Sequence, residues 1–263
     1  VLAAATLKEV EAARDFLWWV RNALHLSEHA EQDLLTFERQ DSLAPALGFA
    51  NVPSFMREYY RHATTISTFS EMLLERCQPM RRFAGFFSRP GGREIRNGVR
   101  ILDGTLVVSD AAILTTDPLN AITVFHDAQR HEVRVARETQ RLLADHVHQL
   151  PPALGDTLEA RAALFAVLAW KQRVSSTLTT MHNLGVLGWL LPEFGRLRWQ
   201  TQRDMYHFFT VDEHSLRGIV ELERLRDGAY KADHPLLTQV IREIDKIEFL
   251  FLSMLYHDVG KGH

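Results

Sequence analysis

The sequence lacks the features that mark several broad classes of protein. Its single cysteine, Cys77, excludes an internal disulfide framework and is typical of a protein from a reducing compartment. No apolar run reaches the roughly 20 residues that a helix needs to cross a bilayer. The amino-terminal segment also lacks the basic start of a secretory signal. We therefore expect a cytoplasmic protein with no membrane-spanning segment.

An excess of positive charge is also lacking. The formal net charge is -3, from 30 Lys and Arg against 33 Asp and Glu, so the chain has no broad basic footprint of the kind that binds nucleic acid. We expect no nucleic-acid partner. A hydrophobic fraction of 46% is that of an ordinary globular protein, and 263 residues suffice for one large domain or two small ones.

Helical periodicity is what the sequence has in abundance. A capping box, Thr6 with Glu9, precedes an apolar face that recurs every three or four residues. A second apolar stripe follows Pro53, which the first turn of a helix tolerates. Between these two segments we expect a shorter helix that breaks near Pro45. The pattern predicts a helical bundle.

One stretch, at about residues 95–110, departs from this pattern. Two β-branched-rich runs, VRIL and TLVV, flank Asp103-Gly104, a dipeptide typical of a type I′ hairpin. Helices then resume after a cap at Asp117-Pro118. One of them is expected to end near Gly185, followed by a short apolar turn that Pro192 closes. The fold class is therefore mainly α, a helical bundle with a small β-hairpin insertion.

The last third of the chain contains the residues best suited to metal binding or catalysis. Thr210 and Glu213 form another capping box, which predicts a helix from Val211 with His214 in its first turn. Residues 236–256 predict one long, increasingly apolar helix. The adjacent residues His257 and Asp258 fall at its end, and Gly260 is expected to terminate it.

His257 and Asp258 offer a nitrogen and an oxygen ligand to a divalent cation, so a further ligand must come from elsewhere. His214 is the candidate, because antiparallel helices bring the start of one beside the end of the other. The alternative is a solvent-facing His214 and a merely helix-terminal Asp258. A carboxylate at a helix C-terminus is disfavoured unless a cation compensates it. A metal ion would do so, and Lys261 would do so less completely.

Several segments resemble known families. TVDEHSLR followed by LYHDVGKG resembles the start of an HD-superfamily phosphohydrolase domain, whose motif is a His, a later His-Asp doublet and a further Asp. Over nearly the whole chain, five segments in order resemble the bacterial bifunctional uridylyltransferase/uridylyl-removing enzymes. They are FLWWVRNALHL, NGVRILDGTLVVSD, DPLNAITVF, HNLGVLGWLLPEFGRL and YHFFTVDEHSLR.

The resemblance implies a domain organisation. Residues 1–195 would form the helical linker domain of that family, and residues 196–263 the N-terminal part of a truncated HD domain. The nucleotidyltransferase signature has no counterpart, because PGGREIR lacks the following Ser and an Asp-x-Asp pair, and Gly91-Gly92 is interpreted as a turn. UTP, UMP and glutamine would bind through parts outside this sequence. We expect a fragment that is weakly active or inactive alone.

The resemblance also implies roles for individual residues. His214, His257 and Asp258 match the metal ligands of HD domains, whereas the fourth ligand, a downstream Asp, has no matching position. Lys261 matches the lysine after the doublet and would hold a substrate phosphate, although a helix-terminal cation explains it equally well. His207 is a further candidate catalytic residue, and an interfacial core histidine explains it as well.

The activity that the resemblance implies is metal-assisted hydrolysis of the uridylyl-tyrosine phosphodiester on PII, a nitrogen-signalling protein. The family favours Mg or Mn, and the ligand types also permit Fe, Zn or Co. Because histidine ligands must be neutral, metal affinity should fall below about pH 6. Two alternatives remain open. One is a catalytically silent helical scaffold or interaction module, and the other is a different HD-type signalling phosphohydrolase.

Overall fold

The computed structural model describes residues 4–28, 30–77, 92–201 and 209–262. Within these residues the chain forms thirteen α-helices and four short strands, which confirms the predicted mainly α class with a small β element. By its contacts the chain divides into two units. The first comprises Val1–Gly85 with Trp199–Val211, and the second comprises Phe86–Arg198 with Asp212–His263. The family-domain boundary at residue 195 and the HD assignment stay predictions.

The first unit contains a bundle of three helices, α1 (Ala4–Glu28), α2 (Phe37–Ala46) and α3 (Val52–Cys77). The helix α1 packs along α3, and α2 contacts both. Pro45 lies in the last turn of α2, so the break expected there is the helix end. Buried side chains from all three helices form the core: Val20, Leu24, Leu43, Ala44, Val52, Phe55 and Met56.

The second unit opens with a four-stranded sheet in the order β1 (Arg93–Arg96), β2 (Val99–Leu102), β3 (Thr105–Val108) and β4 (Arg134–Val135). The predicted hairpin is confirmed as β2–β3. Its two central residues have positive φ angles of 48° and 72°, as a type I′ turn requires. The strands β1 and β4 extend the sheet beyond the prediction, β1 antiparallel to β2 and β4 parallel to β3.

Five helices follow the hairpin: α4 (Ala112–Thr116), α5 (Asn120–Arg130), α6 (Arg137–His146), α7 (Leu158–Leu168) and α8 (Val174–Asn183). The helix α5 does begin just after Asp117-Pro118, but its N-cap residue is Leu119 and no side chain caps it. The carboxylate of Asp117 instead accepts the backbone N–H of Leu119 at 3.2 Å, in the turn before the helix. The helix α5 packs against α7 and against β3 and β4. It is therefore the buried helix of this unit.

A partly buried arginine joins the sheet to α5. Arg96 on β1 donates from Nε to Asp127 at 2.7 Å, from Nη2 to Thr123 at 2.8 Å, and from Nη1 to Asn120. These three acceptors occupy one face of α5, because they lie three and four residues apart. The side chain of Asp127 is 10% exposed. Its charge is therefore compensated mainly by one guanidinium group.

The prediction of a short apolar turn between Gly185 and Pro192 was wrong. Two short helices occupy the region, α9 (Val186–Leu190) and α10 (Pro192–Gly195), although Gly185 does follow the end of α8, with a φ of 82°. The helices approach closely at two glycines. A Cβ on Gly195 would lie 2.8 Å from the carbonyl oxygen of Gly188. This tertiary contact supports helical turns that the local sequence does not mark.

Replacing Gly195 with alanine is expected to destabilise the protein by about 2 kcal/mol, within the usual cost of overpacking. The added methyl group would meet backbone atoms, which cannot move aside as a flexible side chain can. Chemical denaturation measures the change. Gly260→Ala is the control, because a Cβ there has no heavy atom within 4 Å. Equal stability of the two variants would contradict the prediction.

The chain then forms α11 (Val211–Asp227), α12 (Pro235–Arg242) and α13 (Ile247–Tyr256). The start of α11 at Val211 is confirmed. The single long helix predicted over residues 236–256 is wrong, because α12 and α13 are separated at residues 243–246. All four residues of that interval are exposed, and three of them are charged. The Nε group of Arg242 donates to the carbonyl of Arg226, so the end of α12 turns toward α11.

The end of α13 also differs from the prediction. The helix ends at Tyr256, and residues Val259–Gly262 form a 3₁₀ turn. Gly260 lies inside that turn and does not terminate the helix. His257 and Asp258 therefore occupy the link between α13 and the 3₁₀ turn. None of the helices among the described residues is both long and apolar enough to cross a membrane.

Candidate metal centre

Three of the predicted site residues lie together where the start of α11 meets the end of α13. One ligand atom from each of His214, His257 and Asp258 lies within 4.8 Å of the others, and the two imidazole centroids are 5.4 Å apart. Two ligands that each bind one ion at about 2 Å are at most about 4 Å apart. The three side chains thus approach the separation that a shared ion requires.

A close helix contact brings these residues together. A Cβ on Gly218 of α11 would lie only 2.5 Å from Sδ of Met254 on α13, so glycine lets the methionine side chain lie directly on α11. Gly218 follows His214 by about one turn, and Met254 precedes His257 by about one turn. The close approach is therefore immediately beside the cluster.

The hydrogen bonding of His257 favours a metal-ligand role. Its Nδ1 lies 2.7 Å from the carbonyl oxygen of Met254, and because a carbonyl only accepts, Nδ1 carries the proton in this contact. In the neutral ring Nε2 then keeps its lone pair. That atom lies 3.4 Å from Oδ2 of Asp258. Two acceptors that face each other in this way suit a cation placed between them, and the donor set fits a divalent metal.

Asp258 is buried, and a lysine already compensates its charge. Nζ of Lys261 donates to Oδ2 at 2.8 Å. The sequence suggested this lysine as a less complete counter-charge for Asp258 than a metal ion. A phosphate-binding role for Lys261 stays a prediction. His207, the other candidate catalytic residue, lies outside the described residues. The cluster consists of a buried carboxylate, a partly buried His214 and a more exposed His257.

The residue before the doublet, Tyr256, has a perturbed phenol. Burial raises the pKa of the Tyr256 phenol, and the neighbouring carboxylate of Glu193 on α10, which shares a hydrogen bond with it, raises that pKa further. A phenol that stays protonated remains a hydrogen-bond donor to the carboxylate. The last residue of α13 therefore lies near Glu193 of α10.

The sequence did not single out a second buried pair, His182 and Asp212. Nε2 of His182 lies 2.9 Å from Oδ2 of Asp212, and the two residues are 7% and 3% exposed. Burial lowers the pKa of the nearby Arg198 guanidinium, and the charge of Asp212 opposes that shift. No local pattern marks the pair, because its members are 30 positions apart. Asp212 lies two residues before His214.

Comparison with known proteins identifies related chains. Residues 1–74 match the family model described as GlnD PII-uridylyltransferase, and residues 100–190 match the model described as uridylyltransferase GlnD third domain. Together the two matches cover more than half of the chain. Both models describe GlnD proteins, and the match to the uridylyltransferase model lies before the match to the third-domain model along the sequence.

Curated relatives named bifunctional uridylyltransferase/uridylyl-removing enzyme align along nearly the whole chain. The relative from Stutzerimonas stutzeri is 31% identical over 95% of this chain and 29% of its own length. The Nitrosococcus oceani relative is 31% identical over 99% of this chain and 30% of its own length. The Azotobacter vinelandii relative is 32% identical over 95% of this chain and 29% of its own length. The chain thus spans about 30% of the length of these relatives. The chain belongs to the GlnD family of bifunctional uridylyltransferase/uridylyl-removing enzymes.

Proposed function

We propose that His214, His257 and Asp258 hold a divalent metal ion in an HD domain and contribute to uridylyl removal. The observation that carries the proposal is the convergence of these three side chains within 4.8 Å from two separate helices. The hydrogen bond from His257 to Met254 supports it, because it leaves the ligand nitrogen Nε2 facing the carboxylate. Mg or Mn is the preferred ion, and Fe, Zn or Co also suit these ligands.

The proposed reaction is hydrolysis of the phosphodiester between UMP and a tyrosine of PII. Water attacks phosphorus, the bond from phosphorus to the tyrosine oxygen breaks, and the tyrosine oxygen takes a proton as UMP leaves. A divalent ion held by His214, His257 and Asp258 would supply Lewis-acid polarisation of the phosphoryl oxygen and would increase the acidity of water. Asp258 supplies the negative ligand. Lys261, whose Nζ lies 2.8 Å from that carboxylate, would attract a phosphate oxygen by its charge.

The family supports a proposal for the partner and the cellular setting. PII is the proposed partner, and the protein would act in nitrogen regulation in the cytoplasm, where a single cysteine stays reduced. UTP and glutamine would bind to regions outside this sequence. The chain accordingly supplies a helical linker and the first helices of the hydrolase, and by itself is expected to be weakly active or inactive.

Substitution of His214 tests the proposal in the natural protein that contains this sequence. With uridylylated PII and Mn²⁺, His214→Ala is expected to slow UMP release by at least about 100-fold, because loss of a ligand should exceed the 10- to 100-fold effect of losing an outer-shell partner. The exposed His148→Ala is the matched control. Uridylyl transfer to PII should persist in both variants. UMP release at the normal rate from His214→Ala would refute the assignment.

A catalytically silent scaffold is the second candidate. The ion pair between Lys261 and Asp258 favours it, because the pair satisfies the buried carboxylate without a metal. A scaffold would bind Mn²⁺ no better after Lys261 is removed, whereas a metal centre would gain access to a carboxylate that no longer has a competing ammonium group. Calorimetric titration of Lys261→Ala with Mn²⁺ distinguishes the two functions. A third possibility is another HD-type hydrolase. Such an enzyme would hydrolyse a different substrate in a metal-dependent reaction and would release no UMP from uridylylated PII.

A further inference from the structure

The helices α8 and α11 run antiparallel and are joined by a buried carboxylate at each end. Asp212 in the first turn of α11 contacts His182 in the last turn of α8. Glu223 in the last part of α11 contacts the first turn of α8. We call these contacts the first and second clasps. Both carboxylates come from α11, so its position along α8 is defined at two points.

The first clasp is a hydrogen bond between groups that are both more than nine-tenths buried. A carboxylate only accepts, so Nε2 of His182 donates to Oδ2 of Asp212 across 2.9 Å. The ring of Phe194 packs edge-on against His182, with centroids 5.5 Å apart. The imidazole is therefore held from two sides. A carboxylate in the first turn of α11 is also favoured by the helix dipole.

The second clasp satisfies the N-terminus of α8. Glu223 accepts the backbone N–H of Val174 at 2.8 Å and that of Ser175 at 3.0 Å, so a side chain from another helix replaces the missing N-cap acceptor. Arg173 in the N-cap position has a left-handed φ of 64° and makes no side-chain cap. Arg226 extends the contact by donating to the carbonyls of Trp170 and Lys171.

We propose that the first clasp is a positioning element of the metal centre, which rests on the function proposed above. His182 and Asp212 fix the first turn of α11, and His214 in that turn then faces His257 and Asp258. The metal centre would not tolerate a displacement of α11 by one helical turn. A shift of α11 by one turn moves its residues about 5.4 Å, more than the 4.8 Å within which the three ligand atoms lie.

The second clasp provides an internal control, because it stabilises the same helix pair at the end remote from His214. Asp212→Ala and Glu223→Ala should both lower the thermal unfolding temperature. Only Asp212→Ala should weaken Mn²⁺ binding, by about tenfold, the lower end of the effect of losing an outer-shell partner. A general loss of stability would instead lower the affinity equally in both variants.

The experiment is a calorimetric titration of the protein with Mn²⁺, below the unfolding temperature of each variant. The absorption spectrum of bound Co²⁺ reports the ligand geometry, and it should change in Asp212→Ala and not in Glu223→Ala. Asp212→Asn should restore most of the affinity, because its amide oxygen still accepts from Nε2–H of His182. If Asp212→Ala does not fold, His182→Ala and Asp212→Asn decide the question in the same assay.

The outcomes separate the two proposals. Wild-type protein that binds no Mn²⁺ overturns both the metal centre and its positioning. Wild-type protein that binds Mn²⁺, with an unchanged affinity and Co²⁺ spectrum in Asp212→Ala and His182→Ala, overturns only the positioning role. Equal losses in Asp212→Ala and Glu223→Ala also overturn it, because they indicate a general structural effect. A selective loss that Asp212→Asn restores supports it.

Discussion

Asp258→Asn is expected to lower the affinity for Mn²⁺ by at least about 100-fold, beyond the effect of losing an outer-shell partner. Asparagine keeps the size of the side chain and removes the only negative charge among the three clustered groups. Mn²⁺ prefers oxygen ligands that carry charge, and the two imidazoles are neutral when they bind. Calorimetric titration of the wild-type and variant proteins measures the difference.

Two further variants sharpen the test of Asp258. Asp245→Asn makes the same chemical change at an exposed carboxylate between α12 and α13 and should leave Mn²⁺ affinity unchanged. Lys261→Ala should act in the opposite direction and raise the affinity, because its ammonium group competes for Oδ2 of Asp258. Retention of wild-type affinity by Asp258→Asn would show that the carboxylate is not a ligand.

Arg96→Met is expected to cost about 3 kcal/mol of folding free energy, the lower end of the effect of removing one partner from a buried ion pair, because the side chain of Arg96 is itself 31% exposed. The substitution leaves the carboxylate of Asp127 buried and without its guanidinium, which lies 2.7 Å away in the structure. Hydrogen bonds to Asn120 and Thr123 are lost as well. Urea unfolding of the wild-type and variant proteins measures the change.

A matched control and a double variant separate this effect from ordinary strand substitution. Arg100→Met changes an exposed arginine on the adjacent strand β2 and should be nearly neutral. Adding Asp127→Leu to Arg96→Met should recover much of the stability, because the carboxylate left behind accounts for most of the cost. A double variant no more stable than Arg96→Met would show that the lost packing of Arg96 dominates.

Features that depend on neighbouring residues were predictable from the sequence. The hairpin at Asp103-Gly104 needs two positive φ angles, and this dipeptide adopts them readily. The start of α11 at Val211 follows from its capping pattern. Amphipathic periodicity likewise indicated the helices of the first unit. In each case the determinants lie within about one helical turn or one hairpin of each other.

Features that depend on contacts between separate helices or strands were not predicted. Apolar periodicity runs through residues 243–246 and suggests one helix, yet a contact with Arg226 turns the chain there. The strand β1 has a polar sequence and forms because β2 provides backbone partners. The helices α9 and α10 depend on the approach of Gly188 to Gly195. Arg226 and Arg242 are 16 positions apart. The other two contacts join segments that are close in sequence, but neither is marked by an apolar pattern.

The candidate site divides in the same way. A His-Asp doublet and a capped helix start indicated His257, Asp258 and His214, and the family resemblance linked them. The contacts that hold these groups in place were missed. In the sequence Gly218 is an ordinary helical glycine, and only the fold shows that Met254 packs against it. Asp212 reads as a first-turn carboxylate until the fold brings His182 to it.

The ion pair between Lys261 and Asp258 has a thermodynamic consequence for the whole second unit. The ammonium group serves as a built-in counter-ion, so the buried carboxylate has a compensating charge before any divalent cation arrives. Many small metal-binding domains unfold when a chelator removes their ion. Here EDTA is expected to strip the ion with little loss of secondary structure by circular dichroism. Metal loading would then be uncoupled from folding, and a bound cation would exchange without unfolding the chain.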